Sequence, residues 1–295
     1  MNIIKLKPTR LYYNAMKRKR SDSGGTASEE TGPTEPVSTV SFLDGHYHGN
    51  FHNYYFFNPI EERMKLITPE FFSWATSIPL AQATKTSEGP KLLDVGCNSG
   101  DLSIGLFDAC VSAGYTKSSL LGLDIDSKLV RDARKRVGGR KSVRFECCNV
   151  VEDSALLSGM FDISSVFGLT MWIHLHNGDA GLKEFVKKIA SKTTCCILIE
   201  IHPWKCYKKA LKRLRQRSKK MQKREEAGDG GNGRTPPLHF FPKWESIAYR
   251  RSDKLVNFVH NILTVDLGFS EHRNLGTTKW GREIRAYKRK PLHDE

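Results

Sequence analysis

The chain has 295 residues, of which 47 are Lys or Arg and 32 are Asp or Glu, so its formal net charge is +15. A hydrophobic content of 39% is ordinary for a globular protein, which excludes wholesale disorder and a collagen-like structure. The longest apolar runs are far shorter than the ~20 residues of a membrane-spanning helix, and the amino terminus lacks a signal-peptide pattern. We therefore expect a soluble protein that stays inside the cell.

The first 40 residues are poor in apolar side chains. A basic run, Lys17–Arg20, is followed by Ser, Gly, Thr, Glu and Pro through Pro36. This composition does not bury enough apolar surface to order itself. We predict a disordered basic tail over residues 1–40 and a folded domain over residues 41–295. The basic run is typical of a nuclear-import signal or a nucleic-acid contact, but it is also common in tails without either role.

An aromatic-rich segment, Phe51–Pro59, opens the predicted domain. So many large rings must pack on another surface. The segment is interpreted either as an arm that covers a sheet or as an arm that closes over a ligand pocket. Pro69 then predicts the start of a helix that continues through Trp74, because proline is favoured in the first helical turn.

Short apolar strands alternate with amphipathic helices in the rest of the domain. The predicted strands are Lys91–Val95, Leu120–Asp126, Val143–Cys148, Phe161–Phe167 and Cys195–Glu200, and the predicted helices between them are Asp101–Val111, Ser127–Val137 and Gly181–Ala190. A helix near Ser252–Leu263 and strands near Phe269–Leu275 and at Glu283–Lys288 follow. This alternation predicts an α/β fold with helices on both faces of a mostly parallel sheet.

A strongly basic stretch precedes the last of these elements. Residues 205–224 contain eleven Lys and Arg and no acidic residue, and a Gly-rich stretch continues to Pro237. The basic part is predicted to be helical and the Gly-rich part to be a loop. The basic residues form either a solvated helix face or an RNA contact, because unopposed cations attract a polyanion through counterion release.

The seven cysteines are interpreted as reduced, structural residues. Cys147–Cys148 and Cys195–Cys196 are adjacent pairs in apolar runs, and the sequence contains no C-x-x-C motif. A disulfide framework is therefore not expected. The ten histidines show no zinc-ligand spacing, so no metal site is expected.

A glycine turn follows the first predicted strand. Gly96 and Gly100 allow a tight turn in which a ligand lies against bare backbone, and Asp124 closes the next strand, where it can bind both hydroxyls of a ribose. Asn98 and Ser103 stand where a G-x-G-x-x-G motif would place glycines, which argues against a pyrophosphate cradle. The pattern favours S-adenosylmethionine, a nucleoside without phosphate, as the cofactor.

Two later strand ends carry further candidate contacts. Asn149 closes the third strand, a usual position for an adenine contact, and Phe167 closes the fourth, where it could flank the methionine part of the cofactor. Each could instead be a capping or packing residue. Together with neighbouring positions, these strand ends predict a cofactor site formed by Gly96, Asn98, Asp124, Ile125, Asn149, Val150 and Phe167.

Longer motifs lie along the whole domain. They are Gly49–Phe51, Asn58–Pro59, Glu61–Arg63, Asp94–Leu102, Asp124–Asp126, Leu169–Leu175, Gly178–Asp179, Gly181–Leu182 and Glu200 with Pro203–Tyr207. Over residues 49–287 these motifs resemble those of the bicoid-interacting RNA methyltransferases, which methylate the 5′ phosphate of small RNAs. The resemblance implies a Rossmann-like class I methyltransferase that depends on S-adenosylmethionine.

The family has two branches that differ in their RNA end. One acts on a 5′-monophosphate, such as that of histidine tRNA or precursor microRNA, and the other caps a 5′-triphosphate. The monophosphate branch is resembled by Thr170–Trp172 and Trp204–Tyr207. The capping branch tends to have Lys at the position of Met171. By contrast, Gly122–Ser127 is similar to the capping branch. The resemblance therefore implies an RNA 5′-monophosphate methyltransferase. A γ-phosphate capping enzyme and a non-catalytic RNA-binding scaffold are the alternatives.

The resemblance also implies roles for individual residues near the mouth of the site. Lys205, His202, His174 and Tyr54 are the implied phosphate contacts. Arg63 matches a position that reaches the cofactor, where it can bind the carboxylate. Alternatively, Lys205 simply starts the basic helix and Arg63 is a surface arginine. No residue that makes or breaks bonds is assigned.

The chain departs from the family pattern in two places. Where the family has E-P-Q-P-W, this chain has Glu200–Trp204, in which Ile201 and His202 replace the first Pro and the Gln. The basic, Gly-rich residues 215–237 resemble an insertion. The expected partner is a small RNA with a 5′ phosphate, and we expect a monomer without a membrane or metal partner. A cytoplasmic location is expected from the branch, with the nucleus as the alternative that the basic tail suggests.

Overall fold

The computed structural model of the protein describes residues 48–77, 89–153, 155–226, 241 and 243–289, with the backbone alone at 217, 218 and 220–226. The predicted tail over residues 1–40 and the Gly-rich residues 227–237 lie outside this part of the chain. Within it, no helix is both long and apolar enough to cross a membrane.

Seven strands of the described residues form one sheet. They are β1 (Lys91–Val95), β2 (Ser119–Asp124), β3 (Val143–Cys147), β4 (Phe161–Val166), β5 (Thr193–Ile201), β6 (Glu271–Thr277) and β7 (Glu283–Lys288). Their order is β3-β2-β1-β4-β5-β7-β6; β1 to β5 are parallel, and β7 is antiparallel to both of its neighbours. The order reverses between β1 and β4, so the carboxyl ends of these strands frame a crevice of the kind in which α/β proteins bind ligands.

Helices connect and flank the strands. They are α1 (Tyr54–Phe57), α2 (Glu61–Met64), α3 (Pro69–Thr76), α4 (Asp101–Ser112), α5 (Ser127–Arg136), α6 (Thr170–Ser191), α7 (Trp204–Glu226) and α8 (Ser252–Asn261). A π-helical turn at Ile262–Asp266 continues α8, and 3₁₀ turns lie at Ala155–Leu157 and Trp244–Ser246. As predicted, Pro69 begins α3. Asp126, which was predicted to end the second strand, instead caps α5 by accepting bonds from the N–H groups of Lys128 and Leu129.

Neighbouring strand residues pack on opposite faces of the sheet. Leu92 belongs to an apolar cluster with residues of α3, α4 and α5, whereas Leu93 belongs to a second cluster with residues of α6 and α8. Both side chains are buried. Helices therefore cover both faces of the sheet, which confirms the predicted fold class.

A third apolar cluster joins α6 to the basic helix α7. It contains Trp172 and Leu175 of α6 and Tyr207, Ala210 and Leu214 of α7. The three α7 residues recur at helical spacing and are buried, so one face of this helix is anchored to the domain, whereas the basic side chains of α7 that the structure describes are exposed. Residues 215–226, the first part of the suggested insertion, are helical.

The predicted strands and helices agree with the structure to within a few residues, with one exception. α6 begins at Thr170 instead of the predicted Gly181. Gly178 interrupts it with a φ of +68°, a conformation that glycine adopts readily. This interruption explains why the sequence indicated only the second half of the helix.

Candidate active site

A cavity of about 310 Å³ lies at the carboxyl ends of β1, β2 and β4. The arm around Gly49–Arg63 contributes to its wall, so this segment closes over a pocket as well as packing on the domain. Every residue predicted to bind the cofactor lines the cavity. These residues are Arg63, Gly96, Asn98, Asp124, Ile125, Asn149, Val150 and Phe167.

The turn after β1 depends on left-handed backbone at three positions. The φ angles are +82° at Gly96, +51° at Asn98 and +80° at Gly100. A Cβ at Gly100 would also lie 2.8 Å from Phe145 Cζ, so packing requires glycine there. Asn98 Nδ2 donates a hydrogen bond to the Phe51 carbonyl at 3.2 Å, which ties the arm to the turn.

Asp124 ends β2 with its carboxylate buried beside this turn. It accepts hydrogen bonds from the backbone N–H groups of Asn98 at 2.8 Å and Asp126 at 3.0 Å. Burial, only partly offset by these bonds, raises the pKa of Asp124 to about 6. The group is therefore ionised at neutral pH, and each oxygen retains acceptor capacity for a hydroxyl in the cavity.

Arg63 is fully buried and faces the same cavity. Its Nε and Nη2 donate to the two carboxylate oxygens of Glu200 at 3.2 and 2.9 Å. Burial alone would lower the pKa of Arg63, but Glu200 outweighs it and the pKa is raised, so the guanidinium stays charged. Arg63 Nη1 has no hydrogen-bond partner among the described residues. A buried cation with an unpaired donor in a cavity wall is suited to bind an anionic group.

The Tyr54 hydroxyl lies between two guanidinium groups. It accepts hydrogen bonds from Arg63 Nη2 at 2.6 Å and from Arg282 Nη1 at 2.8 Å, and Arg282 Nη1 also donates to Glu200 at 3.2 Å. Because these two bonds use the oxygen lone pairs, the hydroxyl hydrogen of Tyr54 remains able to donate. Tyr54 lines the cavity, whereas the three other predicted phosphate contacts do not.

Two predicted phosphate contacts, His174 and His202, are buried and do not line the cavity. The His174 ring nitrogens lie 3.1 Å from Tyr207 Oη and 2.6 Å from Asp179 Oδ1. Burial and the nearby Arg282 and Arg63 hold the pKa of His202 well below its usual range, so its ring is neutral. As phosphate contacts, both histidines stay predictions.

Lys205 lies exposed in the first turn of α7, outside the cavity lining. Its Nζ lies against the loop before β7, because a Cβ at Gly281 would be 2.8 Å away from it. Arg282, which follows Gly281 in the chain, donates the hydrogen bond to the Tyr54 hydroxyl described above. Arg282 was not predicted, since a single arginine in a loop carries no spacing signal. Lys205 as a phosphate contact stays a prediction.

Residues 48–52 form a strap across the edge of the cavity. Asn50 Nδ2 donates to Asp126 Oδ2 at 2.7 Å, and His52 Nε2 lies 3.0 Å from the same oxygen. Gly49 has a φ of +79°, and a Cβ there would lie 2.1 Å from Trp172 Nε1, so the strap passes directly over this indole. The aromatic residues indicated an arm, but nothing in the sequence indicated its attachment to Asp126.

Comparison with known proteins identifies relatives across the domain. A Bicoid-interacting protein 3 (Bin3) family profile matches residues 161–290, and a methyltransferase domain profile matches residues 92–192. The RNA 5′-monophosphate methyltransferase of Bos taurus is 33% identical over 262 residues, which cover 82% of this chain and 80% of that protein.

Two further relatives represent different RNA ends. The pre-miRNA 5′-monophosphate methyltransferase of Danio rerio is 35% identical, covering 57% of this chain and 71% of that protein. The U6 snRNA methylphosphate capping enzyme Amus of Drosophila melanogaster is 37% identical, but the match covers only 34% of this chain and 36% of that protein. The chain therefore belongs to the Bicoid-interacting protein 3 (Bin3) family and is an S-adenosylmethionine-dependent methyltransferase with the expected Rossmann-like fold.

Proposed function

We propose that this enzyme transfers a methyl group from S-adenosylmethionine to the 5′-monophosphate of RNA. The observation that carries the proposal is the position of Tyr54 between Arg63 and Arg282 in the wall of the cofactor cavity. A hydroxyl that can donate, placed beside two cations, suits a phosphate. The substrates named for the bovine and zebrafish relatives support the same reaction.

The cavity fits the cofactor at both ends. Arg63 Nη1, which has no hydrogen-bond partner within the described ranges, suits its carboxylate, and Asp124 suits its ribose hydroxyls. Asn149 and Val150 line the wall that follows β3, where they would hold the adenine, and the Phe167 ring centroid lies 5.8 Å from the Arg63 guanidinium carbon. These residues would orient the sulfonium of the cofactor, which supplies an electrophilic methyl group.

The acceptor phosphate needs no general base from the protein. The second pKa of a terminal phosphate is about 6, so the group is largely a dianion at pH 7. The side chains then contribute alignment of the phosphate and exclusion of water. Tyr54, which is held by two arginines, would align the phosphate, and the strap over Trp172 would exclude water.

Methionine at position 171 supports a monophosphate substrate through the family resemblance alone, because this residue does not line the cavity. Its side chain is buried in the third apolar cluster with Trp172 and Tyr207. A lysine at this position, as in the capping branch that the sequence partly resembles, would add a cation for a longer phosphate chain. The shorter match to the Drosophila capping enzyme supports the triphosphate alternative less.

The test is transfer of a labelled methyl group to histidine tRNA and to a precursor microRNA hairpin, each carrying a 5′-hydroxyl, a 5′-monophosphate or a 5′-triphosphate. We expect label on the monophosphate forms alone. Preference for the triphosphate forms would assign the protein to cap formation. No label on any form, with S-adenosylmethionine still binding in calorimetry, would contradict the proposal and favour an RNA-binding scaffold.

A further inference from the structure

A groove separate from the cofactor cavity lies between α7 and the segment Trp244–Arg250. We propose that this basic groove binds the sugar-phosphate backbone of the RNA downstream of its 5′ end. The residues that define it are Lys208, Lys212, Arg215, Lys219, Trp244 and Arg250. The inference rests on the proposed function, because it takes RNA as the substrate, and it adds a surface that holds the body of the RNA without reading its bases.

The four α7 cations of the groove form a single stripe. Their spacing of four, three and four residues places them on one helix face, over a length of ~16 Å at 1.5 Å per residue. All four side chains are exposed. The opposite face carries the buried Tyr207, Ala210 and Leu214. The helix is thus held against the domain by its apolar face while the stripe is presented to solvent.

No acidic residue in the described part of the chain neutralises the stripe. Among the described residues, none of its four cations forms an ion pair, whereas Arg134, Arg140 and Lys187 elsewhere on the surface pair with acidic residues. Residues 205–224 contain no acidic side chain at all. Like charges so close together repel each other, and a bound polyanion removes this repulsion while it releases its own counterions.

The other wall of the groove is aromatic and pre-organised. The Trp204 and Trp244 rings stack with centroids 5.3 Å apart and 9° between their planes, and Tyr207 stacks on Trp204 at 5.0 Å. The Arg250 guanidinium lies 5.2 Å from the Trp244 centroid and donates to the carbonyls of Glu245 and Ile247. Trp204 already stacks on two rings, and Trp244 already has Trp204 and Arg250 as partners, so these indoles are occupied within the domain. This arrangement favours contacts to backbone phosphates over base stacking.

The groove starts beside the cofactor cavity. Trp204, the first residue of α7, lines the groove, and the adjacent Lys205 lies against Gly281. Arg282 then reaches back to Tyr54 in the cavity wall. An RNA whose 5′ phosphate lies at Tyr54 therefore meets the amino-terminal end of α7 with its following nucleotides. The stripe continues away from the cavity along the helix.

The experiment measures binding of the full chain to a 5′-hydroxyl RNA hairpin by fluorescence anisotropy at several salt concentrations. The test variant is the triple K208A/K212A/R215A. The matched control is R131A/K135A/K141A, three exposed cations around α5 at the other end of the sheet. We expect the test variant to raise Kd by about tenfold or more and to reduce the salt slope by ~2–3, with less than a twofold change in the control. Cofactor affinity should be unchanged in both.

The inference would be overturned if the test variant kept its Kd and salt slope, or if the control lost as much RNA affinity as the test variant. It would also be overturned if the unmodified protein did not bind RNA. Displacement of the RNA by polyglutamate at equal charge concentration would overturn it as well, because the groove would then take acidic polypeptides. A 5′-hydroxyl RNA has no phosphate to methylate, so this readout is independent of the reaction. If the protein fails to methylate monophosphate RNA but the triple variant loses RNA binding, the result supports the groove and contradicts the proposed function. If the triple variant methylates monophosphate RNA with a normal KM and binds RNA with a normal Kd, the result supports the proposed function and contradicts the groove.

Discussion

Arg63 and Glu200 form a bidentate ion pair in which both side chains are fully buried, although they are 137 positions apart in the chain. The pair joins α2 to the carboxyl end of β5 and holds a cation in the cavity wall. Such a pair gains little over apolar packing, but loss of one partner leaves an uncompensated buried charge. Stability of the domain and cofactor binding therefore depend on the same contact.

Glu200→Gln is expected to destabilise the protein strongly. The substitution keeps the shape but leaves the Arg63 guanidinium charged and without its carboxylate. We expect the free energy of unfolding to fall by about 3–5 kcal/mol, measured by urea denaturation. Affinity for S-adenosylmethionine should fall as well, because Arg63 is no longer held in one position.

Glu146→Gln is the control for this prediction. Glu146 pairs with Arg134 at 2.6 Å, but both side chains are substantially exposed. Exposed pairs contribute about 0–1 kcal/mol. If Glu200→Gln lowered the free energy of unfolding no more than Glu146→Gln does, the Arg63–Glu200 pair would not be needed to compensate a buried charge.

The strand ends of the site were predictable because their signals are local. An apolar strand followed by Gly96 and Gly100 permits few conformations, and an acidic residue at the end of the next strand must lie beside the same turn. Asp124 was therefore found from sequence. Its bond to the Asn98 N–H and its raised pKa could not be predicted, because both depend on how the turn folds back onto β2.

The arginine cluster, by contrast, has no local signal. Arg63, Glu200 and Arg282 belong to three distant segments, and only the packing of the arm and of the loop before β7 brings them together. His174 shows the opposite case, since a family motif marked it but did not indicate that it is buried beside Tyr207 and Asp179. Sequence resemblance identified the region of the site, while the folding of distant segments decided which side chains line the cavity.

Cofactor affinity is expected to decrease below pH 6. Burial raises the pKa of Asp124 from its usual 3.8 to about 6, so the carboxylate is ionised above that pH and becomes protonated as the pH falls through it. The protonated form is a weaker acceptor for the ribose hydroxyls. Calorimetric titration with S-adenosylmethionine between pH 5 and 8 should show constant affinity above about pH 7 and a progressive loss below about pH 6.

The Asp124→Asn variant removes the titration of this group, and it also costs one of the two backbone hydrogen bonds that the carboxylate accepts. An amide has one acceptor oxygen and does not titrate, so we expect weaker binding at neutral pH, by about tenfold, and little dependence on pH. If the variant keeps the same decline below pH 6, another group is responsible for it. Unchanged affinity at pH 7 would remove Asp124 from the ribose contact.

Gly49→Ala is expected to displace the strap and weaken cofactor binding. A Cβ at this position would overlap the Trp172 indole, and the positive φ adds backbone strain. Gly138→Ala is the control, because its φ of +62° is similar but its Cβ would meet no atom closer than 3.5 Å. Both variants should lose some thermal stability. Only Gly49→Ala should also reduce the affinity for S-adenosylmethionine, and equal affinities in the two variants would contradict a closing role for the strap.

Tyr54→Phe is expected to impair methyl transfer while leaving the cofactor bound. The substitution removes the hydroxyl that can donate to the phosphate, whereas Arg63 and Arg282 keep Glu200 as their acceptor. Loss of one hydrogen bond to a charged group corresponds to about a tenfold decrease in kcat/KM for monophosphate RNA. Calorimetry should give an affinity for S-adenosylmethionine within about twofold of the unmodified protein.

Tyr249→Phe provides the control for this measurement. Tyr249 stacks on Phe258 at 4.2 Å and lines neither the cavity nor the basic groove, so loss of its hydroxyl should leave kcat/KM unchanged. A Tyr54→Phe enzyme with normal kcat/KM would exclude the phenol from the phosphate site and leave Arg282 as the remaining donor of the cluster. A parallel loss of cofactor affinity would instead show that Tyr54 positions Arg63, and that its effect on transfer passes through the cofactor and not through the RNA.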